Sequence, residues 1–83
     1  MRYAEFKSEV EKLGMQVVER SDEHYIVDDG PMKWLLASVN KRHVCAINTT
    51  YFGHMINDMY VRQLFHLLVN FAQTSIKERH YDA

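Results

Sequence analysis

His43 and Cys45 stand two residues apart in a run of β-forming residues, so on a strand both side chains point to one face. That spacing could seat a thiol beside its base, or supply two ligands to a metal. Either use needs more groups in register. The other histidines, His24, His54, His66 and His80, are scattered, and the chain holds neither a Cys-x-x-Cys nor a His-x-x-x-His pair. A single cysteine reads more simply as a small buried hydrophobe. Gly14, Gly30 and Gly53 lie too far apart for a phosphate-binding loop. Asp28-Asp29-Gly30 has the start of a calcium loop but not its later acidic ligands, and reads as a turn. Glu5, Glu9 and Glu11 fall on one helical stretch without an opposing acid, which describes a solvated face. The expectation is a protein that is not an enzyme and needs no cofactor and no metal.

A second group combines charge with an aromatic. Lys33, Trp34, Lys41, Arg42 and His43 could sit near one edge of a sheet, where aromatics stack on bases and cations meet phosphate. The charge argues against this. The formal net charge is −1, whereas binding driven by phosphate contacts wants a basic excess. The charge is also uneven. Residues 1–30 carry four Lys/Arg against eight Asp/Glu, and residues 31–83 carry six against three. A small nucleic-acid-binding regulator using Lys33, Lys41 and Arg42 is therefore the alternative expectation, and nucleic acid is not the leading partner.

These side chains must be carried by a single small domain over 1–83, because 83 residues allow one core. With 47% apolar residues and one proline, the chain is not a disordered tail. Its one cysteine allows no internal disulfide and fits a reducing compartment, so a cytoplasmic location is expected. The longest apolar run falls far short of the roughly 20 residues that span a bilayer, and the first residues lack a signal-peptide core.

The elements follow from periodicity. Tyr3, Phe6, Val10 and Leu13 recur at helical spacing, and Gly14 follows where a left-handed helix end wants glycine, which predicts a helix over 2–13. Strands are expected over 15–19, 24–27, 33–39 and 43–48. The breaks between them are polar, with Asp28-Asp29-Gly30-Pro31 the strongest turn signal. Residues 49–53 form a connection without a clear assignment. A long helix begins near Ile56 to Asp58, capped by Asn57 or Asp58, with Tyr60, Leu64, Leu67, Leu68 and Phe71 on one face. Ser75 and Glu78 match a capping box for a short last helix over 76–80. Short links force antiparallel neighbours. The expected fold is α+β, ordered α-β-β-β-β-α: a four-stranded antiparallel meander with both helices packed on one face.

Several stretches of this pattern resemble small proteins encoded by phages and prophages of Gram-positive bacteria such as lactobacilli and streptococci. They are residues 3–14 (Tyr3 to Gly14), 37–39 (Ala37-Ser38-Val39) and 64–79 (Leu64 to Arg79). Such proteins often have proline where Ser75 stands and tend to continue into a charged tail. The resemblance implies a phage origin and a place in the host-cell cytoplasm, and it carries over no catalytic residues.

The third strand bears most on function. Strict alternation puts Leu35, Ala37 and Val39 on one face and Trp34, Leu36 and Ser38 on the other. If small Ala37 lies beneath a helix, Trp34 and Leu36 sit on the helix-free face, and Tyr25 and Val27 join them. That cluster would be a partner interface. In the reversed register, Trp34 is simply core. The leading expectation is a noncatalytic accessory protein that acts by protein–protein interaction through Tyr25, Val27, Trp34 and Leu36, as a homodimer formed through the open sheet face or through a strand edge.

Overall fold

Polar breaks shorter than a crossover connection leave consecutive strands no choice but to pair with their neighbours. The computed structural model describes residues 1–49, 51–52 and 57–81. Its elements are α1 (Tyr3–Lys12), β1 (Met15–Glu19), β2 (Glu23–Asp28), β3 (Leu35–Asn40), β4 (Ile47–Asn48), α2 (Asp58–Ala72) and a 3₁₀ turn at Lys77–Arg79. The strands pair in sequence order, all antiparallel, as an α+β meander. Thr50, Gly53, His54 and Ile56 of the expected connection and helix start lie outside the described residues.

α1 ends as its sequence predicts. Gly14 adopts φ +82° and donates its N–H to the Glu11 carbonyl at 3.0 Å, a backbone turn that a Cβ would strain. α2 begins at Asn57, whose side chain accepts the Met59 amide at 2.9 Å. Phe6 and Val10 of α1 meet Leu64, Leu68, Phe71 and Ala72 of α2 over Met15, Ile26, Leu36, Ala37 and Val39 of the sheet. Both apolar helix stripes are buried against the same side of the sheet, and the Phe6 and Phe71 rings stack at 4.3 Å.

Three expectations are corrected. β4 starts at Ile47, not His43. The Asn40 side chain accepts the amides of Arg42 (2.8 Å) and His43 (2.9 Å), which bends the chain out of the strand. The second correction concerns β3, which starts at Leu35 rather than Lys33, because Lys33 takes φ +50° at the end of the preceding loop. Finally, Ser75 does not cap a helix with its side chain. It gives its carbonyl to the Glu78 amide at 3.0 Å, and the turn that follows is 3₁₀.

Candidate interaction surface

Ladder partners point to the same side of a sheet, so the pairing assigns every strand residue to a face. Val17–Ile26–Ala37 and His24–Val39–Ile47 form rows beneath the helices. Val18–Tyr25–Ser38–Asn48 and Gln16–Val27–Leu35 form rows on the other face. The ladder slips between Ile26 and Val27, leaving Leu36 as the extra residue of β3. This bulge breaks the alternation on which the expected cluster rested.

The four expected interface residues therefore separate. Leu36 is 5% exposed and belongs to the core, which corrects its assignment to a partner face. Leu35 takes its place on the helix-free face, opposite Val27. Tyr25 and Val27 do lie on that face, but Tyr25 is half-buried and Val27 is buried. The Arg20 guanidinium lies over the Tyr25 ring at 5.9 Å, and the Ser38 hydroxyl donates to Glu23 at 3.4 Å. Along this face Val27 and Ser38 are buried, while Val18, Tyr25 and Leu35 are half-buried.

Trp34 is different: it is 55% exposed, and Met32 two residues earlier is 70% exposed. Both belong to the β2–β3 loop, whose shape comes from Asp28. Its carboxylate accepts the Gly30 amide at 3.0 Å and the Trp34 amide at 3.3 Å, while its own N–H donates to the Trp34 carbonyl at 3.0 Å. Outside the loop, Lys33 Nζ bonds Gln16 (3.0 Å) and Asp29 (3.4 Å), tying the loop to β1. The loop thus holds its two largest apolar side chains in water by a built backbone. The first turn of α2 lies at the same end of the molecule, because its last turn is bonded to the opposite end through Ala72. There Met59 and Tyr60 are also exposed. Met32 and Trp34 give the β2–β3 loop an exposed apolar pair.

The basic group also separates. Lys33 precedes β3 and Lys41 and Arg42 follow it, with a strand of roughly 17 Å between them. Lys33 is paired with Asp29, and Arg42 Nε with Asp22 at 3.0 Å. The one-edge arrangement expected for nucleic acid is not what the fold builds. His43 and Cys45 do not share a strand face either. Cys45 is exposed, not the buried hydrophobe expected, and sits in a turn at φ +60° with its amide bonded to the Ala72 carbonyl at 2.8 Å.

The opposite end holds what no motif announced. Arg79 is fully buried. Its guanidinium donates to the carbonyls of Ala72 (2.9 Å), Thr74 (3.1 Å) and Asn40 (2.8 Å) and to the Tyr81 hydroxyl (2.9 Å). It also lies 4.7 Å from the Phe71 ring centre. The cation sits at the C-terminus of α2, where carbonyl dipoles favour positive charge. Beside it His24 is fully buried, stacked on Tyr3 at 4.6 Å and 5.2 Å from the Tyr81 ring, and neither ring nitrogen has a hydrogen-bond partner among the described residues. Burial first, then Lys41 and Arg79, lower its pKa to about 4 against the pull of Glu19. Burial and the Glu19 carboxylate push Tyr3 up to about 12. A neutral imidazole sealed from solvent packs the core; it has no access to a substrate.

Among the described residues no three His, Cys, Asp or Glu side chains gather to hold a metal ion, and no helix is long and apolar enough to cross a membrane. No protein-family model matches the chain, and no curated protein or solved structure does either.

Proposed function

We propose that this is a noncatalytic accessory protein that works by binding another protein through the exposed Met32 and Trp34 of the β2–β3 loop. One observation supports the reading above all. The β2–β3 loop spends Asp28, Asp29, Lys33 and Gln16 on holding Met32 and Trp34 in solvent, where they contribute little to the core. A large aromatic presented on a hydrogen-bonded backbone is the kind of anchor that dominates protein interfaces, because little backbone entropy is left to lose. The resemblance to phage-encoded proteins of Gram-positive bacteria adds a context: a phage or prophage protein meeting a host or phage protein in the host cytoplasm.

The test is affinity capture from the lysate of a lactobacillus or streptococcus, with wild type and Trp34→Ala side by side. The reading predicts a captured protein that Trp34→Ala loses by at least about tenfold, as truncation of an anchor residue does. Equal capture by both forms would overturn it.

A further inference from the structure

A meander has two edges, and the two edges of this sheet are unlike. β4 is two residues long, and a turn interrupts the chain just before it. β1 is five residues long, Met-Gln-Val-Val-Glu, with no proline, lysine or bulge to blunt it. The hydrogen-bond phase of β1 is fixed by Arg20, whose N–H donates to the Glu23 carbonyl at 2.8 Å. Alternation then makes Val18–Tyr25 and Gln16–Val27 the bonded pairs. The main-chain N–H and C=O groups of Met15, Val17 and Glu19 consequently point outward, and no described residue takes them up.

We propose that the β1 edge pairs with the β1 edge of a second copy, antiparallel about a two-fold axis at Val17, to give a continuous eight-stranded sheet. Register selects this pairing. Centred on Val17, the outward residues meet only one another: Met15 with Glu19 of the second copy, Val17 with Val17, and Glu19 with Met15. Each pair exchanges two hydrogen bonds. Centring on Gln16 or Val18 drops one of the three bonded pairs, centring on Glu19 sets two carboxylates face to face, and centring on Met15 leaves most of the edge unpaired. The helix layer supplies a second match. α1 packs over β1, and its Glu9 and Leu13 line a groove with Gln63 and Leu67 of α2. The flank of α1 turned away from α2 carries Lys7 and Glu11, both exposed and one turn apart. Two antiparallel α1 helices over the seam set Lys7 of one copy against Glu11 of the other. The pairing leaves Trp34 uncovered and points the two β2–β3 loops in opposite directions, so it stands apart from the proposed partner site.

Sedimentation and amide hydrogen exchange test it together. The expected result is a concentration-dependent dimer in which the Val17 and Glu19 amides exchange as slowly as the ladder amide of Val18. Val17→Pro removes an outward N–H, at a position where edge strands tolerate proline, together with part of a side chain packed against the core. It should raise the dissociation constant at least about tenfold, with unchanged far-ultraviolet circular dichroism. Lys7→Glu should weaken the dimer severalfold, and Lys7→Glu with Glu11→Lys should restore it. Trp34→Ala should leave the dimer intact. A protein that stays monomeric at about 200 μM, at which an edge pairing of even modest affinity is populated, overturns the proposal. So does a dimer whose Val17 and Glu19 amides exchange freely.

Discussion

The two ends of the sheet use the same kinds of residues for opposite purposes. At the Asn40 end, Arg79, His24, Tyr3 and Tyr81 are drawn inward, and one guanidinium joins α2, β3 and the C-terminal turn through four acceptors. At the Asp28 end, Trp34 and Met32 are pushed outward, and the polar groups around them bond to the backbone that holds the loop. Aromatic and basic residues are thus buried where the fold needs a clasp and displayed where it does not. The closed end should govern stability, and the open end should govern association.

The largest effect expected is at Arg79. Arg79→Met keeps most of the buried volume but leaves the Thr74 and Asn40 carbonyls and the Tyr81 hydroxyl without the guanidinium, and the Ala72 carbonyl with the Cys45 amide alone. The loss should be about 3–5 kcal/mol, read from urea unfolding. An effect below about 1 kcal/mol would mean that the clasp is not what holds this end.

The next effect is in the pH dependence. His24 is held neutral to about pH 4 in the folded protein and takes a proton near 6.5 when unfolded. Its contribution is therefore complete above 6.5 and is lost as the pH falls from 6.5 to 4, because only the unfolded chain gains the proton in that window. The loss should reach roughly 3 kcal/mol. His24→Phe, which stacks without titrating, should flatten unfolding free energy across the same window. An unchanged slope in that variant would place the sensitivity elsewhere.

Much of this contrast was hidden in the sequence, for physical reasons. The helix stripes, Gly14 and the Asp28-Asp29-Gly30-Pro31 turn act over a few residues, and α1, the meander and the Asn57 cap follow from them. The bulge between Ile26 and Val27 is different. It is a compromise between two strands, and it moved Leu36 from the expected partner face into the core. The end of β3 was set by Asn40 capturing two amides, a local competition that strand propensity overlooks. Arg79 bonds residues as far away as Asn40, so its role exists only once the fold has formed. Trp34 stands out in the sequence as the single tryptophan, but its place in the β2–β3 loop follows from where β3 begins.

The smallest effect on the fold should come at the open end, and the chain's single tryptophan reports on it directly. Acrylamide quenching of Trp34 emission in the isolated protein tests whether this side chain is displayed for a partner. The account predicts the red-shifted, readily quenched emission of a solvated indole at every protein concentration, giving way to shielding only when a captured partner is bound. A blue-shifted emission protected from quencher in the isolated protein would contradict it, and would return Trp34 to the core.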